Sequence, residues 1–460
     1  MKLNYKRTLL VGFAFFAIMA FWQAYDSIVP KILTDKFGLS QFWSGAIMAL
    51  DNILAVVLLP LFGALSDKHN GRLGRRTPFI LVGTIAASVI FIGLSIADNL
   101  QRNALAAAGA MEMTDTEARQ AVAASLTAEN PTALVIFMAL LFLVLLAMAL
   151  FRSPAVALMP DVTPRPLRSK ANAMINLMGT FGGILVLVLG IAFGTGKPEN
   201  ALMSYTGFFA VTSAVMLTAL VIFMLTVKEK PWAKEADAIN DTLADEPKTE
   251  TVSEKRGLTK EERRSLFFIL ASVVLWYMGY NAVTSKYSVY AGEVLKLDFN
   301  MTLIVAQGAA ILSYIPVGII SQKLGRKKTI LAGVVMLGIA FTCAAFMREG
   351  SNAIVMNILF ALAGIGWATI NVNSYPMAVE LASAGDVGKY TGYYYTASMA
   401  AQIITPMVSG IFLTYVGMET LFPYAAIFVA GAFVTMLMVR HGDAKPIEKK
   451  SILEHLDVEE

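Results

Sequence analysis

The sequence predicts an all-α membrane protein, twelve transmembrane helices in two six-helix bundles. Three observations predict it. Of 460 residues, 57% are hydrophobic and only 15% charged, against roughly 25% charged in an average soluble domain. The mean hydropathy of +0.63 agrees. Apolar runs of about 20 residues, the length that crosses a bilayer, recur along the whole chain. Finally, the stretch after the second run, Gly63-Ala-Leu-Ser-Asp67-Lys68 with Arg72-Leu-Gly74-Arg75-Arg76 close behind, returns 255 residues later. There it reads Gly318-Ile-Ile-Ser-Gln322-Lys323-Leu-Gly325-Arg326-Lys327-Lys328. Each copy joins the second helix of a half to the third, the trace of a duplicated bundle.

The runs lie at about 8–29, 42–64, 79–97, 133–159, 171–194, 205–227, 265–290, 302–322, 330–347, 352–378, 391–415 and 420–440. The first follows Lys2, Lys6 and Arg7 but has no small-residue cleavage pattern and carries Trp22, Gln23, Tyr25 and Asp26 at its far end, so it reads as a retained helix. The divisions are 1–227 for the N-terminal bundle, 228–264 for a linker, 265–440 for the C-terminal bundle and 441–460 for a tail. Residues 228–264 carry about as many acids as bases and few aromatics, the composition of a solvated linker. Residues 98–132 form a long outer loop, Ala-rich, with Thr114 and Glu117 spaced as a capping box. A short surface helix is expected there, an external ornament.

An even number of spans puts both termini on one side. The segments on that side hold 28 of the 37 Lys and Arg, among them Arg165, Lys170, Lys389, Lys445, Lys449 and Lys450. The positive-inside rule makes that side cytoplasmic and the protein a multi-pass protein of the cell (inner) membrane. A net charge of +4 gives no concentrated basic face for nucleic acid. The lone Cys343 excludes an internal disulfide or thiolate metal site, and His69, His441 and His455 fall in polar segments. No nucleotide-binding loop or paired metal ligands occur, so the reading is of a protein without enzymatic activity, metal or cofactor.

Ionisable groups inside a spanning helix cost roughly 2.5–3.5 kcal/mol even on insertion scales, so each is a functional candidate. Asp51 falls near the middle of the second span and is the first choice for a proton-binding group. A carboxyl held there could load a proton outside and release it inside as access alternates. The other reading is a carboxylate permanently hydrogen-bonded between helices. Asp26, with Trp22, Gln23 and Tyr25, suits sugar recognition through carboxylate–hydroxyl pairs and ring faces, or it is solvated at the interface. Asp26 is also the second proton candidate, and Asn52 beside Asp51 joins the binding set. In the C-terminal half the candidates are neutral: Tyr277, Tyr280, Asn281, Gln307, Trp367, Asn371 and Gln402. Amides and aromatics of this kind can hydrogen-bond hydroxyls while stacking on sugar rings, and each is also an ordinary packing residue. Lys286 is expected to snorkel outward. Gly179-x-x-Gly182-Gly183 suits a close helix approach.

The loop after the second helix, Gly63-x-x-x-Asp67-Lys68 followed by Gly74-x-Arg76, resembles the signature of the major facilitator superfamily, and the likeness covers the whole chain. The longer spacing, with Thr-Pro78-Phe79 following, is similar to plant sucrose transporters and the wider glycoside-pentoside-hexuronide symporters, and Arg152-Ser-Pro154 to Asp161 resembles a second pattern of theirs. The resemblance implies a major facilitator fold and cation-coupled uptake of sugars or glycosides. It also implies a gating charge clasp from Gly63, Asp67, Arg72, Gly74, Arg75, Arg76, Arg152 and Asp161, although Arg152, within the fourth span, could instead neutralise Asp51 or Asp161. Melibiose-type members place two aspartates just before the Pro-x-x-Gly. Here the positions between Asp51 and Pro60 hold only Asn52 and apolar residues, which favours protons over sodium as coupling ion.

The reading is a secondary active transporter, a proton-coupled importer of a sugar or glycoside of the disaccharide type. It would act as a monomer, two bundles rocking about a midplane site, with the small solute and the lipid bilayer as partners. An exporter of amphipathic molecules and a non-transporting membrane receptor are the alternatives.

Overall fold

The computed structural model describes residues 3–164, 167–244, 258–379, 381 and 387–441. The expected cytoplasmic cations Lys2, Arg165, Lys248, Lys255, Arg256, Lys445, Lys449 and Lys450 lie outside them, as do the side chains of Lys170, Gln322 and Lys389. The tail beyond 441 and the linker segment 245–257 lie outside them too.

The described residues contain twelve helices long and apolar enough to cross a membrane. Hydrocarbon offers no partner for a backbone N–H or C=O, so a chain this apolar folds as helices, which close those bonds within themselves. Two compact units divide the chain, Met1–Pro247 and Lys248–Glu460. Unit 1 holds α1 (Tyr5–Lys31), α2 (Gln41–Met48), α3 (Leu50–Lys68), α4 (Thr77–Ala107), α5 (Thr116–Glu129), α6 (Thr132–Asp161), α7 (Arg168–Phe193), α8 (Thr206–Thr226) and α9 (Glu229–Ala244). Unit 2 holds α10 (Lys260–Tyr290), α11 (Phe299–Leu324), α12 (Arg326–Ala344), α13 (Ala353–Val379), α14 (Val387–Tyr415) and α15 (Leu421–Leu437).

Within unit 1, α1 packs along α7 and α8, α4 along α6 and α8, and α3 against α6. The α1–α7 contact is the close approach expected of the Gly179–Gly183 cluster. A Cβ at Gly182 would stand 2.3 Å from the Phe16 carbonyl oxygen, so only glycine lets the two backbones meet there. Within unit 2, α10 packs on α14 and α15, while α11 and α12 both pack on α13.

Four features of the spans and the linker differ from the sequence expectation. The first span runs on from α1 through a π turn, Ile32–Lys36, so Asp26 sits ten residues inside the end of its span, about 15 Å at helical rise. That is too deep for a merely interfacial carboxylate. The second span is interrupted at Ala49, between α2 and α3, which puts Asp51 in the first turn of α3. Lys286 does not snorkel outward: its side chain is buried on α10, because that helix too continues past it, into a π turn at Ala291–Leu295. The expected solvated linker begins with a helix, α9, whose Glu229, Trp232 and Ala236 are buried. Its spacing of Trp232, Ala236 and Ile239 gives one apolar face, which composition averaged over 228–264 conceals.

The segment after α4 is a packed cap. Leu105, Ala110, Ala123 and Leu202 form a buried cluster with Met113, Val122 and Leu126 around it. Helix α5 takes Asp115 as its N-cap, accepting from Glu117 N at 3.0 Å, in place of the expected Thr114 box. Below it lies a fully buried ion pair, Lys36 Nζ to Asp98 Oδ1. Lys36 also donates to the Met203 carbonyl at 2.6 Å, and its ammonium lies 4.5 Å from the centre of the Tyr205 ring. Gln101 Nε2 donates to the Lys36 carbonyl and to Thr127 Oγ1, tying α5 to the end of the first span. Burial, helped by the charges of Asp35 and Asp98, pushes the Tyr205 phenol well above its usual pKa, so it stays neutral over the lysine.

A buried charge stripped of its partner is costly. Asp98→Ala is expected to lose about 3–5 kcal/mol of stability, and Asp98→Ala with Lys36→Met is expected to recover most of it. Thermal unfolding of the purified variants in one detergent measures both.

Candidate functional site

The repeated loop of unit 1 folds into a charge clasp. Gly71 and Gly74 close a tight turn, with Gly74 N donating to the Gly71 carbonyl at 3.3 Å and Gly74 at φ 120°, a backbone region closed to most side chains. That turn delivers Arg76 inward at the start of α4. Its guanidinium donates through Nε to Asp161 Oδ2 at 2.8 Å, through Nη1 to Ser66 Oγ at 2.5 Å, and through Nη2 to Asp67 Oδ1. Burial works against the charge. The hydrogen bonds and negative charge of Asp161 and Asp67 outweigh it and hold the guanidinium proton more tightly than usual. Arg75 stays largely exposed, and its guanidinium lies 3.4 Å from Asp161 Oδ2.

Two assignments to the clasp are corrected. Arg72 is exposed on the turn and makes no ion pair among the described residues. Arg152 lies elsewhere: its guanidinium sits 5.7 Å from the centre of the Trp22 ring and acts electrostatically on Asp51. Helix α6 carries both Arg152 and Asp161, but a separation of nine residues, about 13.5 Å along the helix, puts them at different depths.

Glu229 completes the clasp, and no sequence motif announced it. Its carboxylate accepts from Arg75 N at 2.5 Å, Arg76 N at 2.9 Å, Thr77 N at 2.8 Å and Thr77 Oγ1 at 2.7 Å. Helix α4 begins on Arg76, Thr77 and Pro78 with no capping side chain of its own, so its first N–H groups are supplied with an acceptor from α9. A Cβ at Gly74 would lie 2.3 Å from that carboxylate, which is a second reason for glycine there. Helix α9 is anchored further along, where Glu235 pairs with Arg7 at 2.6 Å and Trp232 lies under the Arg7 guanidinium at 5.2 Å. The one available signal was the Glu229, Trp232, Ala236 spacing, read as linker.

Within the membrane-spanning part of unit 1 the structure brings the acidic candidates together. Asp26 on α1 and Asp51 on α3 act on one another electrostatically. Asn52 Nδ2 donates to Asp51 Oδ1 at 2.8 Å. Asp26 is exposed although Tyr25 and Ser27 beside it are buried. The Tyr25 hydroxyl and the Trp22 indole N–H are buried with no hydrogen-bond partner among the described residues. Buried polar groups are ordinarily paired, so two such donors beside two carboxylates mark a place where a polar solute would be bound. Gln23 instead spends its amide within its own helix, donating to Ser27 Oγ at 3.0 Å.

Unit 2 presents an aromatic platform. The Tyr280 ring lies parallel to Trp367 with centroids 3.7 Å apart, and Tyr277 meets the same indole edge-on at 5.1 Å. Asn281 is adjacent on α10, its amide nitrogen buried without a partner among the described residues. Asn371 is one turn along α13 from Trp367 and therefore shares its face. Gln307 on α11 and Gln402 on α14 are half-buried. Tyr394 on α14 is buried and hydrogen-bonded with Ser374 at 2.8 Å and with Tyr277.

Residues 10–439 match the family described as MFS/sugar transport protein. An uncharacterized MFS-type transporter of Methanocaldococcus jannaschii is 22% identical over 440 residues, covering 94% of this chain and 95% of its own. A sucrose transport protein of Arabidopsis thaliana is 32% identical over 160 residues, 34% of this chain and 24% of its own. Among solved structures, the inward-open xylose transporter XylE from E. coli superposes with a TM-score of 0.65 at 14% identity, covering 98% of this chain and 99% of that one. The nucleoside transporter NupG gives 0.59 at 14% identity, over 94% and 100%. These likenesses show the fold, and the family's members are transporters rather than enzymes. The chain is a multi-pass membrane transporter, and it belongs to the MFS/sugar transport protein family of the major facilitator superfamily.

Proposed function

We propose that the protein imports a sugar or glycoside of the disaccharide class together with a proton, by alternating access, with both termini cytoplasmic in the cell membrane. The observation that carries the reading is the pair Asp26 and Asp51, two carboxylates in spanning helices with Arg152 as the cation acting on Asp51. Two negative charges and one positive leave one to be neutralised, and a proton does so without a dedicated metal cage. No group of three or more His, Cys, Asp or Glu suited to a metal occurs among the described residues. Asp51 is the coupling group, and Asp26 is a sugar-hydroxyl acceptor and second proton site.

Each unit carries groups suited to a sugar. In unit 1 the unpaired hydroxyl of Tyr25 and indole of Trp22 sit next to Asp26, offering donors and an acceptor for hydroxyls. In unit 2 the Tyr280–Trp367 stack offers a flat face for the C–H side of a ring. The likeness to a sucrose transport protein supports the substrate class. The clasp around Arg76, with Glu229 closing it, serves as the cytoplasmic gate of unit 1. The protein works as a monomer.

Uptake into proteoliposomes tests the coupling. An imposed gradient, acid outside, is expected to drive accumulation of a labelled disaccharide, and the rate falls as external pH rises because the proton is a co-substrate. The absence of gradient-driven accumulation of any sugar overturns the importer reading. Asp51→Asn is expected to abolish gradient-driven accumulation while leaving sugar exchange between labelled and unlabelled pools. Full accumulation by that variant removes Asp51 from the mechanism.

Glu229→Gln leaves the α4 N-terminus with a neutral acceptor. Charge-assisted hydrogen bonds are worth roughly 1.5–3 kcal/mol, so the variant should unfold at lower temperature and change maximal uptake rate more than KM. An unchanged melting temperature and unchanged uptake would show that α9 plays no part in the gate.

A further inference from the structure

Helices α11 and α12 are sequence neighbours, yet each packs on α13 and they touch one another little. The result is a groove of about 490 Å³ between them, floored by Ile365 and Thr369 of α13. Its walls run from Ala309 to Leu324 on α11, fifteen helical steps or about 22 Å. Leu312, Ile320, Leu324 and Ala332 on those walls are exposed. The three hydroxyls in the groove are already spent on helical carbonyls, Ser313 to Ala310 at 2.7 Å, Thr329 to Gly325 at 2.8 Å and Thr369 to Ile365 at 2.6 Å. An occupant therefore meets only apolar surface and needs no polar atoms along its length.

One end of the groove is cationic. Lys323 stands one turn beyond Ile320, and Lys328 one turn before Ala332, so each lysine shares a helix face with a groove residue. Both lysines are exposed and make no ion pair among the described residues. Arg326 and Lys327 between them are engaged, with the Pro376 carbonyl and with the Leu437 and Val439 carbonyls. In unit 1 the corresponding loop carries Asp67 against its cations, whereas the repeat in unit 2 has Gln322 at that position. A narrow alkyl slot ending in two unpaired ammonium groups complements a molecule with a long hydrocarbon chain and a phosphate at one end.

We propose that the α11–α12 groove binds one acyl chain of an anionic phospholipid, with Lys323 and Lys328 holding its headgroup phosphate. The groove's length exceeds the depth of one leaflet, half of a hydrocarbon core about 30 Å thick. In the orientation proposed above, the lipid comes from the cytoplasmic leaflet, where anionic lipids gather.

The full chain, delipidated in neutral detergent, is titrated with dioleoyl phosphatidylglycerol and with dioleoyl phosphatidylcholine, and retention is read by native mass spectrometry and by melting temperature. Phosphatidylglycerol is expected to bind tighter by about fivefold for each lysine. Lys323→Gln with Lys328→Gln brings the two lipids level, and Ala332→Trp, which fills the groove, loses both. Equal retention of the two lipids by the unaltered protein overturns the proposal. So does undiminished phosphatidylglycerol binding by the tryptophan variant, equal stabilisation by soluble glycerol phosphate, or a dimer abolished by Ala332→Trp. Should Ala332→Trp fail to fold, the double lysine variant, altered only at exposed side chains, decides the matter alone.

Discussion

Hydrocarbon cannot hydrogen-bond, so every polar group this chain carries into the bilayer must be satisfied by the chain itself. The architecture follows from that constraint at two levels. The backbone closes its bonds within twelve helices. The charges that no helix can satisfy are paired across elements, Lys36 with Asp98, and Arg76 with Asp67 at the end of α3 and Asp161 of α6. Some buried polar atoms have no partner among the described residues, the Tyr25 hydroxyl, the Trp22 indole and the Asn281 amide among them.

The two ends of unit 1 meet the constraint in different ways. At the end bearing α5 the lysine–aspartate pair is enclosed by Tyr205, the Met203 carbonyl and Gln101, all contacts that hold a fixed geometry. At the other end, the buried Arg76 side chain, 6% exposed, reaches out to Asp67, which is 58% exposed. Helix α9 adds an acceptor to a helix terminus that lacked one, through a carboxylate that arrives from beyond the sixth span. Arg76 and Glu229 are buried there, while Asp67 and Arg75 are exposed, so the charges at this end are open to solvent on one side where the Lys36 pair is enclosed.

Much of this was legible in the residues. Hydropathy alone marks the spans, because an uninterrupted apolar run has no other stable setting in a bilayer, and the duplicated loop marks the two halves. Asp26, Asp51, Tyr280 and Trp367 stood out because polar or amphipathic groups are rare in spanning helices. What did not show was depth and partnership. Asp26 read as near-interfacial since the π turn that carries its span on to Lys36 leaves no distinct signature in hydropathy. Lys286 read as snorkelling for the same reason. Arg152 was grouped with the clasp through the family resemblance, with neutralisation of Asp51 as the other reading, and the rise of α6 is what separates it from Asp161.

The sequence by itself therefore determined the fold class, the membrane setting and the short set of ionisable residues in which function should be sought. Local hydrophobicity and charge suffice for those, since each is decided residue by residue against the solvent. Only the tertiary structure decided which charges meet: that Arg76 and not Arg75 or Arg152 is the hub, that Glu229 of the supposed linker caps α4, and that α11 and α12 part to leave a groove. The pairings that bring Asp161 and Glu229 to the Arg76 loop span 85 and 152 positions. They are fixed by helix packing on shared neighbours, which no local pattern encodes.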